Sequence, residues 1–196
     1  MTDASARRMR LSAVLAILLG GAVGIIGSTQ TWLNATLNDG SELAVPVPGA
    51  DALAVLAPLS LAALALGLAL TIVGRVLRYA FAVIAIGLGA GLGWSSFRIA
   101  SQRPVDAVAG PVTDATGLSG EQGIAGIVSE ITATPWPAVT AATSVLIVLG
   151  GMVVLATAHR WSASGRRYRT ERTAGTGPRD SIDSWDDLSR GEDPTS

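Results

Sequence analysis

The polar and aromatic residues that could bind a small molecule lie where two apolar stretches of the chain end. The chain has four long apolar stretches. The first ends with Ser28-Thr29-Gln30-Thr31-Trp32, and the third ends with Trp94-Ser95-Ser96. Hydrogen-bond donors beside aromatic rings could form a shallow site for a small amphiphilic ligand. Membrane-spanning helices carry the same residue types at the membrane–water interface. We therefore assign no catalytic, cofactor-binding or metal-binding residue from this pattern.

Composition limits the other kinds of site. The chain has no Cys and one His, His159, which excludes disulfides, thiolate nucleophiles, Cys-ligated metals and a multi-His metal site. We interpret His159 as an interfacial residue near a helix end. No phosphate-binding loop, nucleophile elbow or H-E-x-x-H pattern occurs. The net charge of −1 argues against nucleic-acid binding. The sequence thus predicts a protein that is not an enzyme and uses no cofactor or metal.

Four long stretches of the chain carry almost no charge. Charged residues make up 15% of the 196 residues, against about 25% in soluble domains. A helix needs about 20 mainly apolar residues to cross the hydrocarbon core of a bilayer. The predicted fold class is therefore all-α: a polytopic membrane protein with four transmembrane helices, at residues 11–33, 52–73, 76–97 and 137–158. The apolar run of the first stretch is longer than that of a typical cleaved signal, and we interpret it as a retained anchor. Cleavage is the alternative and would leave three spans with the same orientation.

The positions of the arginines predict how the chain is threaded. Most arginines lie in residues 1–10, around the turn at 74–75, and in the segment 159–196. The two remaining connections, 34–51 and 98–136, carry most of the acidic residues that precede the tail. The positive-inside rule then places both termini in the cytoplasm and the protein in the plasma membrane. The lipid bilayer is thus its first predicted partner.

Two further features bear on the predicted spans. Trp residues at the span ends resemble the interfacial tryptophans of membrane proteins, and they are Trp32, Trp94, Trp136 and Trp161. Coupled transporters usually keep an ionisable residue inside a span. None is centred in a predicted span here, which argues against coupled transport.

The second outer connection, 98–136, contains a helical pattern. Ser119-Gly120-Glu121-Gln122 has capping-box spacing, and the apolar residues that follow recur at i, i+3, i+4 and i+7. They are Ile124, Ile127, Val128 and Ile131. This pattern predicts a short amphipathic helix over about 120–133, which either covers the bundle or forms a lid over an outward pocket.

Glycines at four-residue spacing are typical of closely packed membrane helices. Such pairs occur in the first and third spans, as Gly20–Gly24, Gly87–Gly91 and Gly89–Gly93. We interpret them as packing surfaces within the chain. A face between copies in a homo-oligomer is the alternative.

The segment 159–196 is basic near the predicted membrane and acidic towards its end. Its polar composition predicts a mostly disordered cytoplasmic tail. Three apolar residues nevertheless recur every third position, namely Ile182, Trp185 and Leu188. They could fold into helical turns on a cytoplasmic protein partner, or they could belong to a solvated tail.

Three segments resemble the actinobacterial tryptophan-associated (trp-operon region) conserved membrane protein family. They are Gly27-Ser28-Thr29-Gln30-Thr31-Trp32, Ala52-Leu53-Ala54-Val55-Leu56-Ala57-Pro58-Leu59 and Asp183-Ser184-Trp185-Asp186-Asp187-Leu188-Ser189-Arg190-Gly191-Glu192-Asp193-Pro194-Thr195. The resemblance covers most of the chain and implies an association with tryptophan-biosynthesis genes. It brings no defined activity and no site residues.

Two functions are compatible with these observations. The first is a membrane protein of tryptophan biosynthesis whose tail recruits a cytoplasmic partner. The second is a small uncoupled permease or exporter for tryptophan, indole or a related aromatic compound, with the helix at 120–133 as its lid.

Overall fold

A computed structural model describes residues 3–38 and 44–157, which belong to the first of two compact units, Met1–Ala163. The predicted tail motif at Ile182, Trp185 and Leu188 lies outside the described residues, as do His159 and Trp161. The elements, in chain order, are α1 (Asp3–Thr29), β1 (Thr31–Leu37), β2 (Ala44–Pro48), α2 (Gly49–Ala52), α3 (Leu56–Ala69), α4 (Arg75–Gln102), a 3-10 turn (Val105–Ala107), α5 (Ala109–Thr116), α6 (Glu121–Ile127), β3 (Val128–Ala133) and α7 (Trp136–Thr157).

Three helices in the described part of the chain are long and apolar enough to cross a membrane. They are residues Arg8–Thr29 of α1, all of α4 and all of α7. The predicted span 52–73 is replaced by α2 and by the 14-residue apolar helix α3. At 1.5 Å per residue, α3 is about 21 Å long, which is shorter than the hydrocarbon core of about 30 Å.

Helix α3 is bounded by a change of backbone conformation before it and by arginine side chains that bind the carbonyl groups after it. Leu53 leaves the helical conformation after α2, with φ −146° and ψ 87°. At the other end, the guanidinium groups of Arg10 and Arg78 donate hydrogen bonds to the carbonyl oxygens of Thr71 and Val73. These carbonyls follow the helix and would otherwise lack a partner.

The four main helices pack around small residues. Helix α1 lies between α3 and α7, and α4 packs along α7, whereas α3 and α4 touch less extensively. A Cβ atom at Gly20 would collide with Ile147 of α7, and one at Gly24 would collide with Ser60 of α3. Because only glycine leaves room for these approaches, the Gly20–Gly24 pair is a packing surface within the chain.

The interleaved glycine pairs of α4 lie on different faces. A Cβ atom at Gly89 would lie 2.9 Å from Val148 Cγ2 of α7, and one at Gly93 would lie 3.4 Å from Ser144 Cβ. By contrast, a Cβ atom at Gly87 or Gly91 would meet nothing within 4 Å. The first pair packs inside the bundle, and the second faces outward.

The chain is mostly helical but not all-α, which corrects the predicted fold class. A three-stranded antiparallel sheet in the order β2-β1-β3 lies at the end of the bundle where α1 and α4 end and α7 begins. We call this the capped end. The opposite end, with Arg10, Arg75 and Arg78, is the arginine end. The predicted loop 34–51 contains most of β1, all of β2 and the start of α2.

The predicted helix over 120–133 is also corrected. Helix α6 ends at Ile127, and the chain continues as strand β3, which pairs with β1 through Asn34↔Thr132 and Ala35↔Ile131. Helical spacing of apolar residues is a weak signal in a segment this short, because an isolated helix of that length is marginal in water. The β-branched residues of β3 suit a strand, and pairing with β1 satisfies their backbone groups.

A small apolar core holds the cap together. It combines residues of the sheet with residues of α5, α6 and the turn that precedes α5, and its fully or nearly fully buried members include Leu33, Val47, Val108, Val112 and Ile124. Prolines 46 and 48 are tolerated in β2 because it is an edge strand.

Candidate functional site

The structure separates the two polar–aromatic segments that the sequence analysis singled out. Trp32 does not lie at the interface as predicted, because α1 ends at Thr29 and Trp32 belongs to strand β1, where it is fully buried. A bulge in the pairing of β1 with β2 falls between Thr31 and Leu33. A bulge lets two consecutive residues point inwards, which is why Trp32 and Leu33 are both buried. Trp94 in α4 is 70% exposed.

The buried indole of Trp32 is enclosed by backbone. Its Nε1–H donates to the carbonyl oxygen of Gly27 at 2.9 Å, which satisfies its one polar atom. A Cβ atom at Gly49 would lie 2.6 Å from Trp32 Nε1, so the first residue of α2 closes the slot. This arrangement joins α1, β1 and α2, and it leaves no room for a ligand beside the indole.

A small pocket lies at the capped end, between the residues that connect α2 to α3, the last turns of α4 and the 3-10 turn. Its volume is about 130 Å³, and it is lined by Ala52, Leu53, Trp94, Ser95, Arg98, Ile99, Pro104, Asp106 and Ala107. Within it, Arg98 Nη2 donates to Asp106 Oδ2 at 2.8 Å. The two side chains are 46% and 60% exposed, so solvent and small molecules can reach both charges. We call this the ion-pair pocket.

A larger groove follows α4 and α7 on the outside of the bundle. Its volume is about 630 Å³, and apart from Ser101 its lining is apolar, with Ala90, Gly93, Trp94, Phe97, Ala100, Ala138, Ala141, Ala142 and Val145. Trp94 lines both this groove and the ion-pair pocket. The exposed indole therefore separates a charged recess from an apolar one. We call the larger recess the apolar groove.

Three hydroxyl groups lie inside the bundle near the capped end. Ser60 in α3, Ser96 in α4 and Thr140 in α7 are buried, and their oxygens have no hydrogen-bond partner among the described residues. Each lies four to six residues from the capped end of its helix, which corresponds to a depth of about 6–9 Å. An unpaired buried hydroxyl costs about 1–3 kcal/mol. Two of these three residues lie against a glycine of α1: Ser60 lies at Gly24, and Thr140 lies at Gly27.

At the arginine end, Arg78 is 3% exposed. Its Nη2 donates to Val73 O at 2.9 Å, and Arg10 donates to Thr71 O, so both arginines bind the segment that follows α3. These contacts assign the two side chains to the turn between α3 and α4.

The described residues offer a membrane bundle, a cap and a charged pocket, but no group of three or more His, Asp or Glu that could hold a metal ion. The sequence profile of the tryptophan-associated transmembrane protein family matches residues 14–195. The chain belongs to this family. It is accordingly a multi-pass membrane protein, as the apolar helices α1, α4 and α7 indicate.

The family match spans both the bundle and the segment beyond it. It begins within α1 at Val14 and extends to Thr195, so it includes all three strands of the cap and the motif around Trp185. No curated protein and no solved structure matches this chain.

Trp94 and Ser95 are recognisable in the sequence as polar–aromatic residues at the end of a span, whereas the ion pair beside them is not. Arg98 and Asp106 are eight residues apart, on α4 and on the 3-10 turn. The signal was present as an arginine at the end of a span, followed within a few residues by an acidic residue. The close approach depends on the chain reversing between Gln102 and Val105. Arg103 marks this reversal with φ 47°, a left-handed conformation that ends α4.

Proposed function

We propose that this chain is a non-enzymatic plasma-membrane component of tryptophan biosynthesis, with both termini in the cytoplasm. The family match supports the link to tryptophan, and the excess of arginine at one end of the bundle supports the orientation. Arg10, Arg75 and Arg78 share one end, whereas the acidic residues of the described cap, such as Asp51 and Asp106, lie at the other. The positive-inside rule assigns the arginine end to the cytoplasm.

Chain connectivity supports α3 as the fourth span. Helix α1 ends at the capped end and α4 begins at the arginine end, so residues 53–74 must cover the length of the bundle between them. Helix α3 forms most of this passage and packs against α1. Turn residues at its two ends supply the remaining length. Four crossings leave both termini on one side.

Cysteine labelling tests this topology directly. The chain has no Cys, so single cysteines can be introduced without removing a background. We expect a membrane-impermeant maleimide to label Ser119→Cys in intact cells, because Ser119 is exposed in the cap. Gly74→Cys, exposed at the arginine end, should label only after permeabilisation. The opposite pattern would overturn the orientation, and labelling of both in intact cells would contradict the crossing by α4, which lies between them. Ala50→Cys, exposed at the capped end before α3, should label like Ser119→Cys, and its protection in intact cells together with Gly74→Cys would overturn α3 as the fourth span.

Within this framework, the tail recruits a cytoplasmic partner. Helix α7 runs from the capped end to the arginine end, so the chain leaves the bundle on the proposed cytoplasmic side. The apolar residues Ile182, Trp185 and Leu188 are then the contact that a partner would bind. The proposal for the tail depends on this sequence pattern and on the family match.

Co-purification tests the tail. The full-length protein should retain a cytoplasmic protein that the double variant Trp185→Ala, Leu188→Ala loses. Ser181→Ala and Ser189→Ala together form the matched control, because they alter the same segment without removing apolar surface. Identical partner lists for all three proteins, measured by quantitative mass spectrometry, would contradict recruitment through the tail.

A second candidate function is an uncoupled permease or exporter for tryptophan, indole or a related aromatic. The observation in its favour is that the ion-pair pocket adjoins the apolar groove at exposed Trp94, on the proposed outer side. Flux of labelled tryptophan and anthranilate should then change in a deletion strain and recover with the wild-type chain. Unchanged flux in both directions would exclude transport of these compounds.

A homo-oligomer is compatible with either function. The outward-facing pair Gly87 and Gly91 is the surface we propose for it, because a helix of a second copy could approach there closely.

A further inference from the structure

The ion-pair pocket and the apolar groove meet at one side chain. Trp94 lines both, is 70% exposed, and lies a little over two turns from the end of α4. Tryptophan is the residue that membrane proteins place where polar headgroups give way to hydrocarbon. A molecule that occupied both recesses would therefore have a charged part and an apolar part, joined at the level of this indole.

The apolar groove extends on both sides of Trp94. Its lining residues on α4 extend from Ala90 to Ser101, which is about 16 Å at 1.5 Å per residue. About 6 Å of this length, from Ala90 to Trp94, lies on the side of the indole that is nearer the middle of α4, and the rest lies towards the capped end. The lining is apolar apart from Ser101. The groove thus offers an apolar surface to the part of an acyl chain that is nearest the headgroup.

The ion-pair pocket offers one positive and one negative group to the same ligand. The bond from Arg98 Nη2 to Asp106 Oδ2 is the one hydrogen bond that either side chain makes among the described residues. Guanidinium groups donate to phosphate oxygens, and carboxylates accept from ammonium groups. Exposed ion pairs contribute little to stability, so a ligand can share these partners at small cost. The pair is neutral overall, which favours a zwitterionic ligand over an anionic one.

We infer that the pocket and the groove together bind one glycerophospholipid with a zwitterionic headgroup that carries a primary ammonium, the chemistry of phosphatidylethanolamine. Its phosphate accepts hydrogen bonds from Arg98, its ammonium donates to Asp106, and one acyl chain passes Trp94 into the apolar groove. The assignment to the outer leaflet rests on the proposed orientation. The lipid class and the site do not depend on it.

The ion-pair pocket alone is too small to enclose a whole small molecule. Sites for whole small molecules usually measure about 300–1,000 Å³, whereas the ion-pair pocket measures about 130 Å³. A free amino acid with a large side chain would have to extend into the groove, which is open to lipid. A helix of a second copy would have to cover two exposed charges at the rim of the groove.

Native mass spectrometry of the full-length protein tests the inference. The protein is exchanged into mixed micelles that contain equal amounts of phosphatidylethanolamine, phosphatidylcholine and phosphatidylglycerol with identical chains. We expect phosphatidylethanolamine to be retained about fivefold more than either competitor, since only its headgroup is zwitterionic and also donates charge-assisted hydrogen bonds. Equal retention of the three lipids would overturn the inference.

Variants at the groove test the acyl-chain site. Ala90 lines the groove and is exposed, so Ala90→Phe fills the recess without disturbing the core. Ala80→Phe is the control, because Ala80 is exposed on the same helix and does not line the groove. Lipid retention should fall about fivefold in the first variant and stay unchanged in the second. Equal retention in both would place the lipid elsewhere.

Variants at the ion pair test the headgroup. Asp106→Asn should abolish the preference for phosphatidylethanolamine over phosphatidylcholine and should increase binding of anionic phosphatidylglycerol, because Arg98 then lacks its counter-charge. The exchange Arg98→Asp with Asp106→Arg keeps the pair neutral and should restore the preference. Thermal unfolding should be unchanged in both proteins, which separates a headgroup contact from a structural one.

Three other results would also overturn the inference. In the first, free tryptophan displaces the lipid and occupies the pocket in its place. In the second, the protein forms a dimer through the groove and loses the lipid. In the third, Asp106→Asn still prefers phosphatidylethanolamine over phosphatidylcholine. Labelling that reverses the proposed orientation would move the lipid to the inner leaflet and would leave the binding results as stated.

Discussion

The indole of Trp32 donates to the carbonyl oxygen of Gly27 at 2.9 Å, across the junction where the first long helix becomes the first strand. This bond fixes the direction in which β1 leaves α1. The backbone on either side is held as well, since Gly49 N donates to Gln30 O and Thr134 N donates to Trp32 O, both at 2.9 Å. One fully buried side chain thus ties the whole sheet to the bundle.

Two substitutions at Trp32 should separate its hydrogen bond from its packing. Trp32→Phe keeps most of the apolar volume and removes one of the two hydrogen bonds that Gly27 O accepts, since Gln30 N still donates to it. We therefore expect a loss of about 0.5–1.5 kcal/mol in the free energy of unfolding. Trp32→Ala also creates a cavity and should cost about 3–5 kcal/mol. Thermal unfolding in detergent measures both. Equal stability of the two variants would show that the hydrogen bond dominates, contrary to this expectation.

The closure of the Trp32 slot by Gly49 can be tested in the same way. A Cβ atom there would lie 2.6 Å from Trp32 Nε1, and no flexible side chain could yield. Gly49→Ala should therefore destabilise the protein by about 1–3 kcal/mol through overpacking. Gly110→Ala is the matched control, because a Cβ atom at this helical glycine meets nothing within 4 Å. If the two variants unfold at the same temperature, the slot is looser than described.

The long helices were predictable because a bilayer imposes a local requirement. The predicted spans 76–97 and 137–158 correspond to α4 and α7, which extend from Arg75 to Gln102 and from Trp136 to Thr157. Each is an apolar run of sufficient length, and no distant residue needs to be known to recognise it. The ends are less certain in sequence, since polar residues at the interface continue α4 beyond the apolar run.

The sheet could not be predicted because it depends on partners far apart in the chain. Strand β1 pairs with β3 about 97 positions later, through Asn34↔Thr132 and neighbouring pairs. From sequence alone, Trp32 and Leu33 continue the apolar run of α1, and the isoleucines near 124–131 fit a helix. Both patterns depend on neighbouring residues only, whereas the pairing of β1 with β3 that overrides them joins residues far apart in the chain.

The candidate site was predictable in part. Trp94 and Ser95 were singled out as polar–aromatic residues at the end of a span, and they line the ion-pair pocket. The two charges of the ion-pair pocket were not predictable, because the approach of Asp106 to Arg98 depends on the reversal of the chain at Arg103, where φ is 47°. Pro104 predicts that the helix ends near this position, but it does not specify the left-handed conformation of Arg103 that reverses the chain.

The turn between α3 and α4 should depend on Arg78. This side chain is 3% exposed and donates to the carbonyl oxygen of Val73, whereas Arg75, in the same turn, is exposed. Arg78→Met removes the donor but keeps the apolar volume, and we expect it to cost about 1–3 kcal/mol. Arg75→Met should change stability by less than about 0.5 kcal/mol. Unfolding in detergent at constant ionic strength checks both, and a larger effect at Arg75 would contradict this assignment.

The two classes of glycine should respond differently to the same added methyl group. Gly20→Ala inserts a Cβ against Ile147 where helix α1 crosses α7, so overpacking should cost about 1–3 kcal/mol. Gly87→Ala adds a Cβ where nothing lies within 4 Å, and a helical glycine replaced by alanine gains up to about 1 kcal/mol. Opposite signs are therefore expected for one chemical change. The experiment is thermal unfolding of monomer isolated in detergent, and destabilisation by Gly87→Ala would reveal a neighbour on that face.

If that neighbour is a second copy, the outward-facing glycines should control association without controlling the fold. Gly91→Leu places a large side chain on the surface where a partner helix would approach, so a dimer should dissociate while the monomer keeps its unfolding temperature. Gly93→Leu, on the face packed against α7, should lower the unfolding temperature instead, because Ser144 Cβ lies 3.4 Å from the position of its Cβ atom. Cross-linking in native membranes separates these outcomes. Equal cross-linking of Gly91→Leu and the wild type would exclude this face as the dimer contact.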